Sequence, residues 1–163
     1  MPWGLVVLVA VLVQSTLLSR VELWGVHPNL VFVLVATWAL LRGRREAIGW
    51  AVGGGLLFDL FSATPFGTFT VPMLIVTFLL GYAEKLPFHL NLPLALAILF
   101  LASLLFTMLT LVLLQSLGWQ VAWAIKLALM PRIAIVDLLT FALFYRPMRW
   151  LSLLAGGPKI EWT

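Results

Sequence analysis

The sequence predicts an all-α membrane protein: one domain, a bundle of about six transmembrane helices, with both termini cytoplasmic. Three observations carry that prediction. The 163 residues are 63% hydrophobic and only 10% charged, whereas a soluble domain is about 45–50% apolar and about 25% charged; so few charges cannot clothe a water-facing surface. The apolar residues fall into long runs on the roughly 20-residue scale of a bilayer crossing. Most Lys and Arg residues sit in the breaks between runs, and they favour one set of alternating breaks, as expected for a multi-pass topology.

The first run, 3–18, contains Gln14, Ser15 and Thr16 and ends at Ser19-Arg20. It lacks the positive leading region and small-residue cleavage site of a removable signal, so it is expected to stay as a helix. The second, 28–41, has Pro28 where a first helical turn tolerates a missing N–H, and ends at the basic stretch Arg42, Gly43, Arg44, Arg45. The third, 47–61, carries Gly49, Gly53, Gly54 and Gly55, with Asp59 near its end. Ala47, Ala51, Gly55 and Asp59 recur every four residues, and such small-residue rows let helix backbones approach closely. This marks the third helix as central.

The turn 62–67 contains Pro65 and Gly67. A fourth run follows at 69–82 and is closed by the polar segment 84–89. The fifth, 92–114, is the clearest, with Asn91 as N-cap and Pro93 in the first turn. The sixth admits two readings. Either 121–130 is interfacial and Pro131 opens a span over 131–145, or 121–145 is one helix kinked at Pro131. The boundaries 131–145 are adopted, leaving 146–163 as a basic cytoplasmic tail with Trp150 and Trp162 at the membrane surface.

Orientation follows from counting cations. Arg42, Arg44, Arg45, Lys85, Arg146, Arg149 and Lys159 fall on one side; Arg20 and Lys126, with Arg132 near them, fall on the other. The positive side is cytoplasmic, so the loop at 20–27 and the turn at 59–67 face outward. The pI near 10.1 is thus explained by topology, with no clustered basic face for nucleic acid. With no cysteine in the chain, disulfides, thiolate metal sites and Cys nucleophiles are excluded. There is no phosphate loop, no HExxH and no G-x-S-x-G, and His27 and His89 are expected on opposite membrane faces. The expectation is a protein without catalytic residues, metal or cofactor.

The polar groups at membrane depth are few. A carboxylate at a helix centre costs roughly 2.5–3.5 kcal/mol on insertion scales and less near the interface. Asp59 either reaches the headgroups and caps the next turn, or fixes the outer turn as a partner site. Asp137 lies about 13 Å below Arg146 along a helix, near mid-bilayer, and needs a partner. Arg132 sits about 140° round the helix from it and does not face it, so a second helix or protonation must help. An interhelical clasp, a substrate or proton site, and a subunit contact are the readings open for Asp137. Gln14 with its neighbours, and Ser103, Thr107 and Thr110 at helical spacing, read as interhelical hydrogen-bonding groups.

The stretch Gly53-Gly54-Gly55-Leu56-Leu57-Phe58-Asp59-Leu60-Phe61-Ser62-Ala63-Thr64-Pro65-Phe66-Gly67 resembles the hallmark of the rod shape-determining membrane protein family MreD. Gln14 to Leu18 resembles that family's first-helix end. Pro28-Asn29-Leu30 resembles its Pro-Asp-Leu, with Asn29 replacing the frequent Asp, and Arg42 to Ala47 resembles its basic loop. The resemblance implies a non-catalytic subunit of the cell-elongation machinery in the bacterial cytoplasmic membrane. The implied direct partner is MreC, through its membrane helix and juxtamembrane segment. Through MreC come a RodA-type glycosyltransferase, a class B penicillin-binding protein and MreB. It also implies a fold similar to the substrate-binding subunits of energy-coupling-factor transporters. The partner-binding or turn-forming candidates are Gln14, Asn29, Asp59, Pro65 and Gly67; the intramembrane polar candidates are Arg132 and Asp137. The alternative function is a small-molecule-binding subunit of such a transporter, which needs an enclosed polar pocket. A lipid-acting enzyme with Asp59 or Asp137 as base lacks an accompanying nucleophile, metal set or phosphate cradle.

Overall fold

Runs of Leu, Val, Ile and Phe this long can satisfy their backbone in an apolar medium only as helices, because each N–H finds its acceptor within the segment. The computed structural model describes residues 2–16, 20, 22–82, 91–154 and 156. Among them are six helices: α1 (Pro2–Thr16), α2 (Leu30–Arg42), α3 (Arg44–Phe61), α4 (Thr70–Leu80), α5 (Leu92–Ser116) and α6 (Trp123–Leu154). The expected features at 17–19, in the segment 84–89 with Lys85 and His89, and in the tail beyond 156 with Lys159 and Trp162 lie outside the described residues.

By length and composition, α5 and α6 are each able to cross a membrane alone, whereas α2 and α4 are shorter apolar helices of 13 and 11 residues. The centre of the bundle is α2. All thirteen of its residues are buried, and α1, α3, α4 and α6 all pack on it. The third helix, expected to be central, packs on α1, α2 and α4 and makes a close backbone approach to α4. Its row Ala47, Ala51, Gly55 and Asp59 is buried, and a Cβ on Gly55 would fall 2.7 Å from the Cα of Thr70. That backbone approach requires glycine. Two aromatic stacks tie the layers together: Trp38 on Trp50 at 4.8 Å between α2 and α3, and Phe32 on Phe106 at 4.6 Å between α2 and α5.

Gly43 separates α2 from α3. Its φ of +80° with ψ −177° is a conformation open in practice only to glycine, and its N–H closes on Ala39 O at 2.9 Å. Arg42 and Glu46 clasp across this break in two parallel bonds, Nε to Oε2 at 2.9 Å and Nη2 to Oε1 at 2.8 Å. Thus α3 starts at Arg44 and the basic stretch is partly helical. Pro28 precedes the N-cap Asn29 and is not in the first turn.

The helix bounds 131–145 adopted for the sixth element are too narrow: α6 runs unbroken from Trp123 to Leu154 through Pro131 and Pro147, closer to the reading of one helix through Pro131. The former tail is helical as far as Leu154. Proline removes one helix hydrogen bond, but an apolar medium offers no competing partner for the freed backbone, so helices there tolerate it. Flanking residues also bury Met130, Ala134, Val136 and Met148 against the bundle.

Candidate functional site

A helix start leaves its first amides without intrahelical partners. At the beginnings of α2 and α4 those amides are withdrawn from solvent, and side chains from other elements must receive them. Gln14, Asn29, Asp59, Ser103 and Asp137, singled out in the sequence, gather at these two places.

At α4 the acceptor is Asp59, 3% exposed. Its Oδ1 accepts the N–H of Phe69 at 2.8 Å. Its Oδ2 accepts the N–H of Gly67 at 3.0 Å, the N–H of Thr70 at 3.2 Å and the hydroxyl of Thr70 at 2.5 Å. The carboxylate thus sits on the positive end of α4, where a negative charge is stabilised by the aligned peptide dipoles. The intervening turn is set by Pro65 and Gly67. Pro65 O accepts the N–H of Thr68 at 3.2 Å and its hydroxyl at 2.6 Å. Gly67 has φ +94°, the left-handed value required at the third position of a type II turn.

At α2 three side chains share the work. Asn29 Oδ1 accepts the N–H of Phe32 at 3.1 Å. Gln14 from α1 accepts the N–H of Val31 at 3.2 Å and donates from Nε2 to Pro28 O at 3.0 Å. Asp137 from α6 accepts the N–H of Asn29 at 3.1 Å, and its other oxygen receives the hydroxyl of Ser103 from α5 at 2.5 Å. Asp137 is 1% exposed. Four elements converge on one helix start.

Arg132 does not join them. It is exposed on α6, and among the described residues it pairs with no carboxylate. Sequence reasoning missed Thr70, whose only signal was a hydroxyl residue opening an apolar run after Gly67. It also placed Ser103 among interhelical groups without linking it to Asp137. The polar atoms of Gln14, Asp59 and Asp137 are directed at amides and hydroxyls of the chain itself. Among the described residues, two larger cavities lie elsewhere and are mostly apolar. One of about 350 Å³ lies between α4 and α5, and one of about 420 Å³ between α1 and the second half of α6. Among the described residues no group of His, Asp and Glu is placed to hold a metal.

Around this layer the turns display large apolar side chains. Phe66 is 64% exposed at the tip of the Asp59-anchored turn, beside exposed Leu60 and Phe61. Trp24, 66% exposed, tips a two-residue hairpin closed by Leu23 N–H to Val26 O at 2.9 Å and Val26 N–H to Leu23 O at 3.1 Å. Trp24 takes φ +54° and Gly25 φ +78°, the signs of a type I′ turn.

No curated protein and no solved structure matches the chain. The family model for rod shape-determining protein MreD matches residues 1–154. That match covers both capped helix starts and the turn between α3 and α4, and the chain belongs to the MreD family of rod shape-determining membrane proteins.

Proposed function

We propose that this protein is a multi-pass scaffold of the bacterial cytoplasmic membrane that binds MreC. Six helices span the bilayer with both termini inside, and the complex organises or activates a RodA-type glycosyltransferase with its class B penicillin-binding protein near MreB. Membership of the family supports a role in rod shape determination. The observation that carries the finer reading is the Asp59-anchored turn, which holds exposed Phe66 on a rigid loop. An exposed aromatic fixed in advance gives contact area at little ordering cost, as interface anchors do. In this reading Asp59 acts through the turn, and Phe66 meets the membrane helix or juxtamembrane segment of MreC.

The test is co-purification of MreC from membranes in mild detergent. Phe66→Ala should lower MreC recovery without lowering thermal stability, and Asp59→Ala should lower both. Undiminished recovery with both variants would overturn the assignment.

A further inference from the structure

Arg44 opens α3 on the membrane face that also carries Arg42 and Arg45. Its guanidinium carbon lies 4.9 Å from the ring centroid of Phe78 and 5.5 Å from that of Tyr82. The two rings meet edge to face at 5.4 Å. The side chain also presses on Gly81, where a Cβ would clash with Arg44 Cα at 2.8 Å. The guanidinium therefore lies against two rings, while the root of the side chain is set against Gly81. Among the described residues no carboxylate reaches it: Glu46, two residues on, clasps Arg42. A fixed cation with no paired carboxylate among the described residues is half of a recognition site.

The other half adjoins it. Tyr82 also lines the cavity of about 350 Å³ between α4 and α5, whose remaining walls are Val76, Leu79, Leu80, Ile98, Leu101 and Leu105, with Ala102 at the floor. The cleft is a narrow apolar groove between two helices. It suits a narrow flexible chain. One side chain, Tyr82, thus belongs both to a mostly apolar slot and to the seat of the Arg44 guanidinium.

We propose that this is a binding site for one anionic glycerophospholipid from the arginine-bearing leaflet. Its phosphate meets Arg44 over Phe78 and Tyr82, and one acyl chain lies in the slot between α4 and α5. The assignment is independent of MreC binding. The second cavity, between α1 and α6, has no cation stacked at its rim and is not included. Anion binding by a planar, stacked guanidinium is directional, so the site differs from the diffuse attraction of a basic surface for an acidic leaflet.

The experiment is native mass spectrometry of the full chain in detergent with phosphatidylglycerol and phosphatidylcholine of identical acyl chains. Phosphatidylglycerol should be retained about tenfold more strongly, at one molecule per chain, with the advantage largely lost in Arg44→Gln. Arg45→Gln, which removes the same charge from the adjacent exposed position, should keep it. Leu101→Trp, at the exposed rim of the slot, should weaken both lipids while the protein stays monodisperse. Equal retention of the two lipids by the wild type would overturn the site. So would equal loss in Arg44→Gln and Arg45→Gln, which indicates surface charge alone, or unchanged binding in Leu101→Trp.

Discussion

Asp59 Oδ2 receives both the backbone N–H and the hydroxyl of Thr70, eleven residues later, and so fastens the end of α3 to the first residue of α4. The same oxygen takes the N–H of Gly67, so one atom holds the turn and the helix it introduces. A carboxylate engaged in this way is an anchor, and its removal acts first on the loop.

The first prediction concerns that anchor. Asp59→Ala leaves the amides of Gly67, Phe69 and Thr70 without their acceptor. An unsatisfied buried donor costs about 1–3 kcal/mol, so a loss of roughly 3 kcal/mol is expected. Asp59→Asn keeps one oxygen for these donors and turns an NH₂ group towards the rest, so it should fall between. Thermal unfolding in detergent should rank wild type above Asp59→Asn above Asp59→Ala. Wild-type stability in Asp59→Asn would show that the charge on the α4 start contributes nothing.

Gln14 separates donor from acceptor. Its oxygen serves Val31 N–H and its nitrogen serves Pro28 O. Gln14→Glu keeps the shape and the first bond but sets an acceptor against the Pro28 carbonyl. Gln14→Leu removes both bonds without adding repulsion. Gln14→Glu at neutral pH is expected to be at least as destabilising as Gln14→Leu, each by roughly 1–3 kcal/mol. Full stability in Gln14→Leu would mean that the start of α2 does not depend on α1.

The bond between Ser103 and Asp137 can be measured by a double-mutant cycle with Ser103→Ala and Asp137→Ala. Side-chain hydrogen bonds within membranes average about 0.6 kcal/mol by this method, and a hydroxyl on a carboxylate is stronger. A coupling of roughly 1 kcal/mol or more is expected. Additive effects would exclude a direct bond.

Two glycines of α3 should respond in opposite directions. Gly55→Ala places a methyl 2.7 Å from Thr70 Cα and pushes α3 from α4, at a cost of about 1–3 kcal/mol. Gly53 has open space where its Cβ would lie, so Gly53→Ala should be neutral or stabilise by up to about 1 kcal/mol through better helix propensity. Denaturation of the two variants side by side reads this directly.

Much of this was legible in the sequence, and the limit follows from distance along the chain. Helices announce themselves because apolar runs force local hydrogen bonding. The Asp59 arrangement was half legible, since the carboxylate, Pro65, Gly67 and the start of α4 lie within one short stretch. Asp137 showed only that it needed a partner. That partner is a backbone amide 108 residues away, and no residue type marks an amide as waiting. Pro131 misled because its cost in water was applied to a helix whose surroundings cannot offer its backbone an alternative.

The difference between the two capped helix starts has a consequence for biosynthesis. The acceptor for α4 precedes it in the chain, so that cap can close as soon as the hairpin of α3 and α4 leaves the ribosome. The amide of Asn29 must wait for Asp137. At translation rates of about 5–20 residues per second, a gap of 108 residues is a delay of roughly 5–20 s. Throughout that interval the nascent α2 lacks the acceptor that α6 later brings to its start.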